Sequence, residues 1–154
     1  MTNVFVRLAT VADVPQLSGL LSILFTQEAE FAPDTARQTS ALQRIIDQPE
    51  TGRVYCAVER GSVVGMVNIL FTISTAEGGR AAWLEDMIVH PGRRGDGIGK
   101  RLLDEAVAGA RAAGCTRITL LTDATNVSAM RFYQRAGFVG SPMVPLRLNL
   151  RNDR

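Results

Sequence analysis

The sequence has little of the chemistry that metal sites and disulfide scaffolds use. It contains one histidine, His90, and two cysteines, Cys56 and Cys115, which are far apart in the chain. No C-x-x-C pair or Cys/His cluster is present, so neither a zinc site nor a disulfide framework is expected. Both cysteines lie in apolar runs, which favours buried free thiols. We predict no bound metal.

Long apolar runs are also missing. The longest candidate, Val63 to Ile73, is interrupted by Gly65 and Asn68, whereas a transmembrane helix needs about 20 predominantly apolar residues. The first residues, Met1 to Arg7, lack the basic stretch and apolar run that mark a signal peptide. We therefore expect a cytoplasmic protein with no membrane partner.

Charge of one sign is not concentrated anywhere in the chain. The 17 basic and 15 acidic residues leave a formal net charge of +2, and Lys100 is the only lysine. The basic residues are spread out, whereas nucleic-acid-binding proteins gather them on one face. The sequence thus gives little support to a nucleic-acid partner. Its 154 residues predict a single domain, residues 1–154, and are compatible with a homodimer.

Hydrophobic periodicity predicts an α+β chain with the element order β, α, α, β, β, β, α, β, α, β. The predicted strands are residues 4–8, 53–59, 63–74, 81–89, 117–122 and 144–150. The first predicted helix follows a capping-box-like start at Thr10–Asp13. The other three predicted helices occupy residues 35–47, about 97–113 and 126–135. Short turns make the second, third and fourth strands antiparallel, while the third helix implies a parallel crossover. The sheet is therefore mixed.

A glycine-rich loop separates the strand that ends at Val89 from the third helix. It reads His90-Pro91-Gly92-Arg93-Arg94-Gly95-Asp96-Gly97-Ile98-Gly99-Lys100. Such a loop at a helix N-terminus presents backbone N–H groups that, with the helix dipole, favour a phosphate. Basic residues at 93, 94, 100 and 101 add positive charge nearby. The loop departs from the dinucleotide fingerprint at Leu102 and from the P-loop at Arg94 and Arg101.

Two motifs resemble the GNAT superfamily of N-acetyltransferases. The run Arg94 to Gly99 is similar to the family's [RQ]-x-x-G-x-[GA], and Asn126 to Phe138 is similar to N-x-x-A-x-x-x-Y-x-x-x-G-F. The opening Val6 to Asp13 also resembles the family's first strand and helix. The resemblance implies a GNAT-like fold: a mixed, mostly antiparallel sheet with a splayed parallel strand pair and helices on both faces.

The resemblance also implies an activity. This is transfer of an acetyl group from acetyl-CoA to a primary amine, by direct attack in a ternary complex that leaves coenzyme A as product. We prefer a small-molecule amine as acceptor. Two alternatives stay open: a catalytically silent sensor of acyl-CoA, and an acetyltransferase that acts on proteins or aminoacyl-tRNA.

The cofactor contacts follow from the same resemblance. Backbone amides from Arg94 to Lys100 would hold the pyrophosphate, and the strand ending at Val89 would bind the pantetheine arm and polarise the thioester carbonyl. Asn126 either contacts the cofactor or only caps its helix. Ser128 could reach the cofactor or lie in solvent. The predicted cofactor-binding residues are Met87, Ile88, Val89, Arg94, Gly95, Asp96, Gly97, Ile98, Gly99, Lys100, Asn126, Ser128 and Tyr133.

Three residues are predicted to be catalytic: Tyr133, Glu85 and Asp86. Tyr133 matches the family tyrosine that protonates or orients the leaving thiolate, although a tyrosine with its hydroxyl at the rim of the core would look the same. Two adjacent carboxylates in an apolar strand are costly unless solvated, paired or used. We prefer Glu85 as the general base because family members often carry Glu there, with Asp86 as the alternative.

Strand alternation predicts which neighbours the two acids have. Glu85 would share one face with Trp83, Met87 and Val89, and Asp86 the other face with Leu84 and Ile88.

The acceptor site is the least determined part. Glu28, Glu30 and Phe31 near the end of the first helix could receive a cationic amine, or they could form a solvated acidic helix end. His90 is interpreted as a solvated loop residue.

Overall fold

The computed structural model describes residues 3–28 and 31–151. These residues form two compact units, divided between Leu121 and Thr122. Glu30, one of the residues considered for the acceptor, lies outside the described residues.

The first unit contains the sheet. Its strands are β1 (Val4–Leu8), β2 (Gly52–Glu59), β3 (Ser62–Ser74), β4 (Gly79–Val89) and β5 (Ile118–Leu120), and its helices are α1 (Val14–Gln27), α2 (Thr35–Asp47) and α3 (Ile98–Ala112). Short 3-10 turns occupy Val11–Asp13 and Pro91–Arg93, and the second unit holds α4 (Val127–Arg135). The strands lie in chain order, with three antiparallel pairings followed by a parallel one between β4 and β5. The predicted α+β class and mixed sheet are confirmed.

One face of the sheet is covered by α1 and α2. The predicted capping box begins the 3-10 turn that leads into α1, and in it Thr10 N donates to Asp13 Oδ2 at 2.7 Å. The apolar residues of α1 and α2 then form one buried cluster with residues of β2, β3 and β4. Its members include Leu17, Leu20, Leu21, Leu42, Cys56, Met66 and Ile88.

The opposite face is covered by α3. Its buried stripe consists of residues at helical spacing: Ile98, Leu102, Leu103, Ala106 and Ala110. A glycine allows the close approach on the sheet side, because a Cβ on Gly65 would lie 2.9 Å from a methyl of Leu102. Since Gly65 and Met66 are neighbours on β3, they point to opposite faces, which places α3 opposite α1.

A β-bulge in β4 overturns the predicted facing of the two acids. Asn68 pairs with Asp86 and Ile69 pairs with Leu84, so Glu85 has no partner residue on β3. Because Asn68 and Ile69 point to opposite faces, Asp86 and Leu84 do so as well. The prediction that Asp86 shares a face with Leu84 is therefore wrong.

The bulge shifts the alternation of every residue that follows it. Asp86 shares its face with Ile88, on the side of α1, whereas Met87 and Val89 lie on the side of α3. The predicted grouping of Trp83 with Met87 and Val89 is wrong for the same reason. Period-two alternation holds only where each residue has one partner across the ladder.

The end of the chain differs from its prediction. β5 covers three residues, Ile118–Leu120, rather than 117–122, and the predicted strand 144–150 is not formed. That segment alternates apolar and polar residues, yet its apolar side chains are exposed: Val144, Leu146, Leu148 and Leu150. Alternation supplies strand propensity, but a strand forms only where a neighbouring strand pairs with it.

Some chemistry is absent from the part of the chain that the structure describes. No helix there is long and apolar enough to span a bilayer. No group of three or more His, Cys, Asp or Glu side chains could hold a metal ion in the same residues. Both cysteines are free thiols; Cys56 is buried and Cys115 is half-buried.

Candidate active site

The glycine-rich loop joins the end of β4 to the start of α3. Gly95 and Gly97 have φ angles of +90° and +78°, in the left-handed region that other residues rarely adopt. A Cβ added to either would meet nothing within 4 Å. These glycines are therefore required by the backbone conformation rather than by crowding, and they leave the loop surface open.

Backbone N–H groups are left available along this loop. Within the ranges 3–28 and 31–151, no N–H from Arg94 to Lys100 donates a hydrogen bond to another group of the protein. They include the first turn of α3, where the helix dipole is positive. Arg101 N closes the first helical bond, to Gly97 O at 3.2 Å. Such a row of donors fits a pyrophosphate group.

Arg93 is engaged with two carboxylates of the protein. Its Nε and Nη2 donate to Glu59 at 2.8 and 2.5 Å, and its Nη1 contacts Asp96. The hydrogen bonds of this pair lower the pKa of Glu59 and raise that of Arg93. The expectation that Arg93 adds net positive charge for a phosphate is therefore wrong, since two acids offset its charge.

The other polar side chains of the loop also bind within it or close by. Arg94 Nε donates to Val89 O at 3.2 Å, and Lys100 Nζ lies 2.8 Å from Asp104 Oδ2. His90 is exposed, and its Nδ1 accepts from Gly92 N at 3.1 Å. The single histidine thus shapes the turn, in agreement with its interpretation as a loop residue.

Among residues 3–28 and 31–151, no strand other than β5 pairs with the edge of β4 that faces away from β3. The two strands pair only at Ala82, Trp83 and Leu84. His90 N donates to Val64 O at 2.8 Å, and the alternation of an antiparallel ladder then turns the N–H and C=O of Met87 and Val89 away from β3. The backbone of Ile88 instead faces Met66 on β3. Of the three predicted pantetheine-binding residues, Met87 and Val89 present their backbone to the open edge.

Asp86 is held by a buried amide that sequence reasoning missed. Asp86 N donates to Asn68 Oδ1 at 2.7 Å, and Asn68 Nδ2 donates to Asp86 Oδ2 at 3.0 Å. Asn68 is only 2% exposed. The signal that could have found it is a polar residue inside the apolar run of β3, because a buried amide must be hydrogen-bonded.

The two acids of β4 differ in environment. Burial raises the pKa of Asp86 to about 6; the Asn68 hydrogen bond opposes the shift, and the charges of Glu85 and Glu28 add to it. Glu85, at the bulge, is exposed. Asp86 is thus mostly ionised at neutral pH but still basic enough to accept a proton.

An acidic residue at the end of α1 acts on the charge of Asp86. Glu28 follows the last residue of α1, and its charge acts on Asp86. Phe31 is half-exposed, and its ring centroid lies 5.8 Å from that of Phe25. The negative charge of Glu28 at the end of α1 is therefore part of the electrostatic surroundings of Asp86.

In the second unit, the motif residues are arranged around α4. Asn126 caps the helix by accepting from Ala129 N at 3.1 Å, and Ser128 is exposed in the first turn. Tyr133 is half-buried, with ring centroids of Phe132 and Phe138 at 5.2 and 5.6 Å. Burial raises the pKa of Tyr133 to about 12, which keeps its phenol protonated at neutral pH.

Comparison with known proteins identifies the family. Residues 18–138 match the model of the acetyltransferase (GNAT) family. The chain belongs to this family. The match includes both the glycine-rich loop and the motif Asn126 to Phe138, so the resemblance predicted from these two motifs is confirmed.

Two named enzymes are similar to this GNAT acetyltransferase. Glucosamine 6-phosphate N-acetyltransferase from Trypanosoma brucei brucei is 33% identical over 87 residues, which make up 56% of this chain and 57% of that protein. The match therefore spans less than two thirds of that relative. Aminoalkylphosphonate N-acetyltransferase from Salmonella typhimurium is 28% identical over 132 residues, covering 86% and 82% of the two chains.

The fold of this GNAT acetyltransferase is shared with solved structures. A possible acetyltransferase from Clostridium difficile 630 superimposes with a TM-score of 0.86 over 97% of this chain and 99% of that one. The two sequences are 14% identical, so this likeness concerns the fold alone. The predicted GNAT-like fold is confirmed.

Proposed function

We propose that this protein transfers an acetyl group from acetyl-CoA to the primary amine of a small molecule, by direct attack in a ternary complex. The observation that carries the proposal is the order of features along β4. Asp86, whose pKa is about 6, is followed by Met87 and Val89, whose N–H groups point away from β3, and then by the loop of unpaired N–H groups. A candidate base, a strand edge that could bind the pantetheine arm and a row of N–H donors for the pyrophosphate thus follow one another from β4 into the glycine-rich loop.

Acetyl-CoA would supply an activated acetyl thioester to this site. The N–H groups of residues 94–100 would hold its pyrophosphate, and the backbone edge at Met87 and Val89 would bind its pantetheine arm. The N–H of Val89 would also polarise the thioester carbonyl, since a fixed donor stabilises negative charge that develops on oxygen. The fit depends on backbone donors, and the loop therefore does not need unpaired basic side chains.

Asp86 is our choice for the general base. An alkyl amine has a pKa near ~10 and is mostly protonated at neutral pH, so it must lose a proton before it can attack. Asn68 donates to Oδ2 of Asp86, and the proton would pass to Oδ1. A positioned base contributes roughly 10² to 10⁴ in rate. We favour Asp86 over Glu85 because it is more buried and hydrogen-bonded, whereas Glu85 is exposed at the bulge.

Tyr133 is our choice for the proton donor to the departing thiolate. Its position in the second motif and the protonated state of its phenol support this role. Asn126 and Ser128, at the start of α4, would contact the cofactor in addition to the cap that Asn126 forms. Residues 1–154 would form one N-acetyltransferase domain, because the family match at residues 18–138 extends into both compact units.

The proposed acceptor is a small amine that carries a phosphate or phosphonate group. The names of both curated relatives support this class, since each specifies such an amine. The carboxylates of Asp86, Glu85 and Glu28 would attract the ammonium end before it is deprotonated.

Release of free thiol from acetyl-CoA tests the proposal. The acceptors are matched pairs that differ in one group, such as 2-aminoethylphosphonate and ethanolamine, or glucosamine 6-phosphate and glucosamine, together with peptides and an aminoacyl-tRNA. We expect sustained turnover with a small amine and a lower KM for the phosphorylated member of each pair. Tight binding of acetyl-CoA with no turnover on any acceptor would instead indicate a sensor, and turnover confined to peptides or aminoacyl-tRNA would exclude a small acceptor.

A further inference from the structure

Three charged side chains fasten the glycine-rich loop to the end of β2. Arg93 and Glu59 form a two-pronged ion pair, with Nε 2.8 Å from Oε1 and Nη2 2.5 Å from Oε2. Their side chains are largely shielded from solvent, with exposed fractions of 23% and 20%. A planar pairing through two bonds fixes the orientation of the guanidinium as well as its position. The loop is thereby held against the hairpin of β2 and β3.

The same guanidinium reaches a carboxylate inside the loop. Arg93 Nη1 contacts Asp96 Oδ2, and Asp96 stands between the two left-handed glycines Gly95 and Gly97. Asp96 is therefore part of the row of N–H donors that fits a pyrophosphate. A carboxylate without a counter-charge at this position would repel an anionic ligand. Arg93 offsets that repulsion.

We infer that Glu59 and Arg93 are positioning residues for the cofactor, which hold the loop in its binding conformation and neutralise Asp96. The inference rests on the proposed function, in which this loop receives the pyrophosphate. Glu59 lies 34 residues before Arg93 and belongs to neither sequence motif. Arg93 acts through Glu59 and Asp96 rather than as an additional phosphate ligand.

The loop has a physical need for such a restraint. Its glycines give the unliganded backbone more accessible conformations than other residues would, and binding must remove that freedom. The loop's first residues are tied to the sheet by His90 N on Val64 O at 2.8 Å and by Arg94 Nε on Val89 O at 3.2 Å. The contact of Arg93 with Asp96 extends the restraint to the middle of the loop, where the donors are.

The test measures the Kd for coenzyme A by calorimetry and the steady-state parameters of Glu59→Gln, Arg93→Gln and the double variant. We expect each single variant to raise the Kd about three- to tenfold. The double variant should bind about as well as Arg93→Gln, because both changes remove the same pair. The KM for the amine and kcat at saturating acetyl-CoA should change little.

A second substitution separates positioning from simple stabilisation of the fold. Asp96→Asn, added to Arg93→Gln, should recover part of the lost affinity, because it removes the carboxylate that Arg93 had neutralised. A matched control, Glu77→Gln, breaks the Arg117–Glu77 ion pair of 3.3 Å outside the loop and should leave the Kd unchanged.

Two results would overturn the inference in distinguishable ways. If the Glu59 and Arg93 variants unfold at lower temperature yet bind coenzyme A as the wild type does, the ion pair only stabilises the fold. If the wild type itself does not bind coenzyme A, the proposed function fails, and the inference fails with it.

Discussion

Asn68 and Asp86 face each other across β3 and β4 and exchange two hydrogen bonds, of 2.7 and 3.0 Å. The bulge at Glu85 displaces the backbone of β4, and the amide of Asn68 accepts the Asp86 N–H while it donates to the Asp86 carboxylate. These hydrogen bonds have two effects. They satisfy a buried backbone donor, and they hold a carboxylate in one orientation beside the open edge of the strand.

The first prediction concerns the identity of the base. Asp86→Asn should lower kcat by roughly 10² or more, while Glu85→Gln should retain most of the activity. Because the base must be ionised, kcat/KM of the wild type should rise with pH through about 6, the pKa of Asp86, and then level off. Asparagine can still accept from Asn68 Nδ2, so the variant keeps its contact. If the rise of kcat/KM with pH through about 6 were lost in Glu85→Gln instead, Glu85 would be the general base.

The second prediction concerns the stability cost of this carboxylate. The folded pKa of Asp86, about 6, lies above the ordinary value of 3.8, so the folded chain binds the proton more tightly than the unfolded chain. Stability should therefore fall as pH rises from about 4 to about 6, and the deficit should persist above that. We expect Asp86→Asn to raise the free energy of unfolding by about 1–3 kcal/mol at pH 7.5. Equal stabilisation at pH 4 would contradict this cause.

The third prediction concerns the loop glycines. Gly97→Val imposes a side chain on a backbone with φ of +78° and should abolish measurable binding of coenzyme A, as should the double variant Gly97→Val with Gly99→Val. Gly61→Val is a matched control, because Gly61 has φ of +79° and equally open surroundings. Gly61→Val should lower the unfolding temperature about as much as Gly97→Val does, and it should bind coenzyme A as the wild type does. Retained micromolar binding in the Gly97 variant would remove the loop from the cofactor site.

The fourth prediction concerns Tyr133. Tyr133→Phe keeps the ring between Phe132 and Phe138 and removes only the hydroxyl, which its pKa of about 12 keeps protonated at neutral pH. We expect a lower kcat with little change in the Kd for coenzyme A. Stopped-flow measurement of thiol release at saturating substrates provides the rate, and calorimetry the Kd. An unchanged kcat would exclude the phenol from the reaction.

The fifth prediction concerns the contact between α3 and the sheet. A Cβ on Gly109 would lie 1.8 Å from Tyr55 Oη, so Gly109→Ala should destabilise the protein by about 1–3 kcal/mol, although alanine favours a helix. Tyr55→Phe should rescue part of the loss, because it removes the clashing oxygen. Urea unfolding of the two single variants and the double variant measures the coupling. Simple additivity would contradict a direct clash.

Much of the fold could be predicted from local patterns. α2 lies at 35–47 and β1 at 4–8, as predicted, and the buried stripe of α3 follows its helical spacing. Helix and strand patterns depend on residues that are close in sequence, and they predict the final structure where tertiary packing favours the same conformation. The segment 144–150 shows the limit, because its alternation meets no partner strand among the described residues.

The candidate site divides in the same way. The family, the glycine-rich loop and the α4 motif could be inferred without coordinates, because they depend on residue types at short, fixed spacings. Three features became visible only in the folded chain: the bulge at Glu85 that turns Asp86 toward α1, the hydrogen bonds between Asn68 and Asp86, and the ion pair between Glu59 and Arg93. Strand register and ion pairs between distant residues depend on which segments meet in space, and no local spacing records that.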